Sequence, residues 1–272
     1  MNIATATSSL EDSDAAMEEA YTALCAHLGG PPDWTFLGLS ALHDTAKVQR
    51  AWIERSDTPM HALTSSGGTM TQEGAFQGKV LSLFGIRDDV GAYGVGAATI
   101  TTATDAKHAA QQATLEALER AGRPGQLPKL VWLSCSPGHE EDVLDGIQEL
   151  LGDGVLLIGG SCADDDIAGA WRLFDRDTLT RDGVVVSVLF PSMGYATLFQ
   201  SGFRPTEYTG VVTRAEGRIL YELDGRPAAH VYDEWTSGVI SAERAAGEGN
   251  ILSQSSMNPL GRIVDSTQGK DY

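Results

Sequence analysis

Apolar positions along the chain change period several times, and each change marks an element. Met17, Ala20, Tyr21, Leu24 and Leu28 recur at helical spacing, so Ser13 to about Leu28 reads as a helix stopped by Gly29-Gly30. Trp34 to Ser40 is apolar and strand-like, and Asp44 is a natural cap for a helix running through Trp52-Ile53. Met60 to Thr64 reads as a strand, Ser65-Ser66-Gly67-Gly68-Thr69 as its exit, and Lys79 to Ile86 as a further strand. From Lys129 the same order returns. Leu130 to Ser134 is a strand, and His139 leads a helix with Val143, Leu144, Ile147, Leu150 and Leu151 on one face. Val155 to Ile158 is a strand, Gly159-Gly160-Ser161-Cys162 its exit, and Gly183 to Phe190 a closing strand. The run Val155-Leu156-Leu157-Ile158 lacks polar alternation and reads as buried on both faces.

The order repeats at an offset of about ninety-five residues, too long for a solenoid, which points to an old duplication. The expected class is α/β, with internally duplicated strand-helix-strand-strand units (about 34–87 and 129–190), mixed sheets and flanking helices. Between the copies a helix over Asp105 to Ala121 carries an alanine face (Ala109, Ala110, Ala113, Ala117), and Gly122 to Gly125 makes a linker. After the second copy come a strand over Thr197 to Phe203, a hairpin of Val211 to Thr213 with Arg218 to Leu223, and a turn at Asp224-Gly225. A helix over Ala228 to Trp235 follows. Residues 1–12 read as disordered, 13–252 as one domain with a closing segment over 197–247, and 253–272 as a tail.

Composition narrows the class of partner. The 272 residues carry 19 Lys+Arg against 37 Asp+Glu, a formal charge of −18. Such a surface repels phosphate backbones, so nucleic acid is not an expected partner. No run is long and apolar enough to span a bilayer, and Met1 to Leu10 has neither the basic start nor the apolar stretch of a signal peptide, so membrane insertion is not expected. Three widely spaced cysteines, Cys25, Cys135 and Cys162, fit a reducing cytoplasm better than a disulfide framework.

Candidate chemistry gathers where parallel strands end. Parallel pairing places strand carboxyl ends together, as a strand-helix-strand unit requires. That brings one rim, Ser65, Ser66, Gly67, Gly68 and Thr69, into play beside a second, Gly159, Gly160, Ser161, Cys162 and Asp164, with Cys135 and His139 at its base. A helix N-terminus, backbone N–H groups and Ser161 would suit a small ligand bearing a carboxylate, such as an amino acid. Other readings use the same atoms. Cys135, His139 and Cys162 lack the short paired spacing of a structural zinc site, and no metal is expected. A cysteine hydrolase would pair Cys135 with His139 or Cys162 with Asp165, but no nucleophile signature surrounds either thiol, so no enzymatic activity is expected. A haem would need an axial ligand, and His43, His61, His139 and His230 are the candidates, with no C-x-x-C-H attachment present. The bland alternative makes the cysteines small buried hydrophobes and each histidine a surface or hydrogen-bonded residue. Trp132, Trp171, Tyr93 and Phe174 serve equally as pocket walls or core. Gly94-Val95-Gly96 is not a dinucleotide fingerprint, because Thr99 stands where the third glycine belongs.

The ordered motifs together resemble the N-terminal half of the FIST domain, the F-box and intracellular signal transduction sensory module. They are Thr64-Ser65-Ser66-Gly67-Gly68, Ile158-Gly159-Gly160-Ser161-Cys162-Ala163-Asp164, Gly202-Phe203-Arg204-Pro205, and the run from Val212 to Ala228. The resemblance spans roughly residues 35–262. It implies a ligand-sensing input to bacterial signalling, with amino acids as suggested ligands and a histidine kinase or cyclic-di-GMP enzyme as partner. It also implies, as an alternative, a haem-binding nitric-oxide sensor, with His139 or His61 as axial ligand. Residues 253–272 would then be a tail or the threshold of a C-terminal FIST half.

Overall fold

In the first half of the chain, helical and strand periods alternate so that each sheet buries both faces. The computed structural model describes residues 1–166, 168–198 and 202–263. The chain divides into two units, Met1–Tyr195 and Ala196–Tyr272. In the first, the elements run β1 (Asn2–Ser8), α1 (Ser13–Leu28), β2 (Trp34–Ser40), α2 (Thr45–Arg55), β3 (Met60–Ser65), β4 (Thr69–Thr71), β5 (Gly74–Phe76) and β6 (Leu81–Arg87). They continue with β7 (Ala92–Thr99), α3 (Ala106–Arg120), β8 (Leu130–Cys135), α4 (Glu140–Leu151), β9 (Leu156–Ser161), β10 (Leu173–Phe174), β11 (Leu179–Thr180) and β12 (Gly183–Phe190).

One sheet has the order β1-β6-β2-β3-β10-β11 and the other β7-β12-β8-β9. Within each, one pair is parallel, β2 with β3 and β8 with β9, and the remaining pairs are antiparallel. Strands β1-β6-β2-β3 and β7-β12-β8-β9 thus share connectivity and direction. The shared pattern takes in β1-α1 and β7-α3, which lie outside the repeat boundaries expected from sequence.

Three apolar layers hold this unit. Met17, Leu24 and Leu28 of α1 and Val48 and Trp52 of α2 pack on Leu37, Leu39, Met60 and Leu83. The alanine face of α3, with Val143 and Ile147 of α4, packs on Val131, Leu133, Val184, Val186 and Val188. Between the sheets lie Trp34, Leu63 and Ile86 from one and Tyr93, Val95, Val185 and Leu189 from the other, with Phe36, Phe84 and Trp132 beside them. The result is a four-layer α/β/β/α sandwich.

One buried polar group crosses the middle layer. His61 of β3 is 0% exposed, and its Nδ1 lies 2.9 Å from Ser187 Oγ while its Nε2 lies 2.8 Å from Ser134 Oγ. Trp34 Nε1 donates to the same Ser187 hydroxyl at 3.0 Å. Both ring nitrogens are therefore satisfied across the sheet interface. A second clasp joins the β6–β7 turn to the end of β12. Asp88 accepts from Tyr93 Oη at 2.7 Å, Ser192 N at 2.8 Å and Ser192 Oγ at 2.5 Å. Burial opposes ionisation of Asp88, yet these bonds outweigh it and hold the carboxyl below the usual carboxylate range.

The structure corrects several expectations. Residues 1–12 are not disordered throughout, because Asn2–Ser8 pair with β6 along their whole length. The strand is small and polar, and cross-strand pairing rather than its own apolar content orders it. The segment β9 is not buried on both faces. It is the edge of its sheet, with Leu156–Ile158 half-buried and Gly159–Ser161 exposed. A further strand, β7, occupies the segment around Gly94-Val95-Gly96, where no strand was expected. Its glycines explain both facts. A Cβ on Gly94 would lie 2.0 Å from Ala117 O, and one on Gly96 2.2 Å from Ala113 O, so α3 rests directly on bare backbone. The strand expected over Thr197–Phe203 falls partly on residues 199–201, outside those described, and its flanking residues are not in a strand.

The second unit holds the hairpin β13 (Val212–Glu216) and β14 (Ile219–Leu223), then β15 (Arg226–Pro227), α5 (Ala228–Trp235), α6 (Ser241–Ala246) and α7 (Leu252–Met257). Its core is small: Leu223, Ala228 and Val231, with Leu220 and Trp235 packed alongside. Buried Asp233 organises the helical part by accepting from Ile240 N, Ser241 Oγ and Arg244 Nε at 2.8–3.0 Å. The expected tail corresponds to α7, which has no buried residue, and beyond it 264–272 lie outside the described residues.

Two outcomes test this account. Gly96→Ala overpacks the β7–α3 contact and should cost about 1–3 kcal/mol in urea denaturation, or prevent folding. For His61, burial lowers the imidazole pKa from 6.5 to about 3. The unfolded chain therefore takes up a proton that the fold refuses, and stability falls as pH drops below 6.5 towards 3. His61 alone should remove about 2 kcal/mol between pH 7 and pH 5. Denaturation of His61→Phe, weaker at pH 7 because Ser134 and Ser187 lose their imidazole partner, should lose that part of the slope. An unchanged slope would reject the assignment.

Candidate functional site

The parallel pair β2 and β3 ends at Ser40 and Ser65, and the chain then doubles back as the β4–β5 hairpin across β1, β2 and β6. Between that hairpin and the inner face of the sheet is a cleft of about 420 Å³. Phe36 and Phe84, direct partners on β2 and β6, form its floor, with Leu63 beside them and Met70 and Ala75 on the hairpin. Both rings stay half-buried rather than closed over. Trp132 backs them, at centroid distances of 4.8 Å from Phe36 and 6.5 Å from Phe84. Gly38, in mid-strand between Leu63 and Ser82, leaves the floor open. A Cβ there would meet only Thr69 Cγ2 at 3.6 Å and Phe36 Cε1 at 3.7 Å.

Hydroxyls rim this apolar floor. Ser82 Oγ lies 2.6 Å from Thr69 Oγ1 and 2.9 Å from Thr7 Oγ1, and Thr5 Oγ1 bonds the Gln72 side chain. Ser65 and Thr71 complete the polar lining, which among the described residues contains no Asp, Glu, Lys, Arg or His. The hairpin is set by Gly68, whose φ of +106° and 1.9 Å approach of a notional Cβ to Phe76 O admit no side chain.

The two glycine rims meet through the backbone. Cys162 N donates to Cys135 O within its own sheet, and the next residue crosses to the other: Ala163 N donates to Thr64 O at 3.0 Å. Thr64 N in turn donates to Arg172 O at 2.9 Å, and Asp165 Oδ1 accepts from Gly67 N at 2.7 Å. The rims do not, however, share a cavity. Of the predicted residues, Ser65, Gly67, Gly68 and Thr69 line the cleft. Ser66, Gly159, Gly160, Ser161, Cys162, Asp164, Cys135 and His139 do not. After β9 the chain crosses to the first sheet, where β10 and β11 extend it beyond β3.

Ser161, Asp164 and the two cysteines are engaged elsewhere. Ser161 Oγ donates to Glu140 Oε1 at 2.5 Å, and Gly138 N donates to Glu140 Oε2 at 3.0 Å. Asp164 is buried and accepts from Ala170 N at 2.5 Å. Half-buried His139 precedes α4. Cys135 belongs to the helix-side core and Cys162 to the inter-sheet core, so they lie in different layers. Burial, then the nearby Cys135, pushes the Cys162 thiol up to about 12, which keeps it protonated near neutrality. Among the described residues no three of His, Cys, Asp and Glu gather as metal ligands. For haem, His61 already uses both ring nitrogens inside the core, and among the described residues the cleft lining offers no His, Cys or Tyr, only the exposed thioether of Met70. His43 is buried with Nδ1 3.1 Å from Ser13 Oγ, and His230 is exposed on α5.

Sequence reasoning missed Phe36, Gly38, Phe84, Thr5 and Ser82 as site residues. Gly38 inside Phe36-Leu37-Gly38-Leu39 was the available signal, since a strand-interior glycine marks close backbone approach.

Comparison with known proteins places this geometry. The family model for the FIST N domain matches residues 33–226, and the chain belongs to that family. FIST domains are sensory domains of signalling proteins. The chain is 32% identical over 107 residues to an uncharacterized protein of Methanocaldococcus jannaschii, covering 39% of this chain and 20% of that protein. It is 37% identical over 93 residues to an uncharacterized protein of Mycobacterium bovis, covering 34% of this chain and 24% of that one. The match thus spans a quarter or less of these relatives' length. Among solved structures, cyanuric acid hydrolase from A. caulinodans is similar at a TM-score of 0.35 and 11% identity, over 72% of this chain and 68% of that one. Among the described residues no helix is long and apolar enough to cross a membrane.

The thiols give a direct check on this geometry. Under native conditions a disulfide reagent should titrate only the half-buried Cys25, with Cys135 and Cys162 reacting after unfolding. Fast native reaction of a second thiol would contradict the burial described here.

Proposed function

We propose that this chain is the ligand-binding input of a cytoplasmic signalling protein, and that the cleft beneath the β4–β5 hairpin is its binding site. The observation that carries the reading is a preformed, largely apolar cleft on the inner face of the sheet, reaching Ser65 at the carboxyl end of the parallel pair. Its roof is a short hairpin whose entry at Gly67 is tied to Asp165 in the loop that follows β9. A ligand that binds better with the hairpin in one position than in another shifts that equilibrium, which is what an input module needs. The output passes to a signalling partner, for which a histidine kinase or a cyclic-di-GMP enzyme is the class the family suggests.

A non-enzymatic role is supported by the chemistry of the lining, which holds no nucleophile stronger than a hydroxyl and no general base. The amino-acid ligand suggested by family resemblance is not supported, because no cation lines the cleft to meet its carboxylate.

The reading is tested by thermal-shift screening with amino acids, haem and a set of neutral fragments, followed by hydrogen exchange. A binder should raise the melting temperature by about 2 °C or more and slow exchange across residues 69–76. Gly38→Leu, which fills the cleft, should abolish both effects. Silence across all three compound sets, or protection that ignores Gly38→Leu, would defeat the reading.

A further inference from the structure

The cleft's chemistry says more than that something binds. We infer that it selects a neutral, flat, aromatic or heteroaromatic molecule carrying hydrogen-bonding groups at its edge. This rests on the cleft being the binding site and concerns only what it accepts.

Three features converge on this class. The floor is a pair of in-register phenylalanines, half-buried, with Trp132 packed behind them so that the surface is rigid. A flat ring covers such a floor better than a branched or flexible chain does, and it gains offset or edge contacts with the rings. Gly38 adds clearance at the level where a ring must slide between floor and hairpin. The rim, in contrast, offers only hydroxyls: Thr5, Ser65, Thr69, Thr71 and Ser82. A hydroxyl both donates and accepts, so this ring of groups adapts to carbonyl, amide or ring nitrogen atoms.

Charge is what the lining refuses. A carboxylate or ammonium entering it leaves water without meeting an opposite charge, and that desolvation is uncompensated. The formal charge of −18 adds a field unfavourable to anions. Asp165, beside the rim, is already engaged by Gly67 N. A free amino acid, a zwitterion, would leave both of its charges uncompensated there.

Three isosteric probes isolate charge from shape: benzamide, benzoate and benzylammonium. Binding is read on the whole chain from amide shifts of Gly38, Gly67 and Gly68 in proton–nitrogen NMR spectra. Benzamide should move these signals and bind at least tenfold more tightly than either charged analogue. Gly38→Leu should lose the benzamide shifts, with circular dichroism checking its fold. Ser65→Lys, at the half-buried rim, provides the second test and should reverse the preference between benzamide and benzoate. Equal or tighter binding of benzoate or benzylammonium by the native chain overturns the inference while leaving the cleft as a site. Benzamide shifts elsewhere but not at these glycines also overturn it. If no probe moves these glycines while a charged compound from the wider screen does, the inference falls and the proposed function stands. If nothing at all reaches the cleft, both fall.

Discussion

The fold depends on two sheets meeting face to face without sliding. Apolar side chains supply most of the attraction there, but greasy surfaces alone permit small shifts of register. His61 removes that freedom. Its two nitrogens each require a hydroxyl on the opposite sheet, and only one alignment brings Ser134 and Ser187 to them at once. Any slip would leave three buried polar groups without partners in a medium that cannot replace them. A histidine in this position thus acts as a registration pin, and its chemistry is spent on structure.

From that alignment the rest follows. With the sheets in register, the chain leaving β9 can complete one hydrogen bond in its own sheet and the next in the other, Cys162 to Cys135 and then Ala163 to Thr64. Strands β10 and β11 thereby become the outer margin of the first sheet. The β4–β5 hairpin roofs the cleft on its inner face. The cleft exists because the corresponding segments of the two halves part company, one crossing to the neighbouring sheet and the other folding back on its own.

The same logic separates structural from ligand-facing chemistry. Histidines, cysteines and carboxylates are the groups a sequence reader reaches for first, yet here they serve packing, clasps and turns. Asp88 ties a turn to the end of β12, Asp164 shapes a loop, and Cys162 fills an apolar layer. What faces the cleft is plainer: phenylalanine, glycine, serine and threonine.

Local pattern determined a good deal. The helices α1, α2, α3 and α4, most strands, the α/β class and the glycine rim at Ser65–Thr69 were legible, because amphipathic period, caps and turn residues act over a few positions. So was family membership, which rests on the order of motifs. The tertiary structure alone decided the remainder. It paired the polar segment Asn2–Ser8 as a strand, since pairing energy comes from β6. It laid a helix on Gly94 and Gly96, whose missing side chains had hidden a strand. It turned the apolar run at Val155–Ile158 into an edge, because the chain that would have covered it crosses away. And it assembled the cleft from Thr5, Phe36, Gly38, Ser82 and Phe84, residues on different strands whose neighbourhood no local period encodes. Spacing along a chain reports which face a residue takes; only sheet order and register report what that face meets.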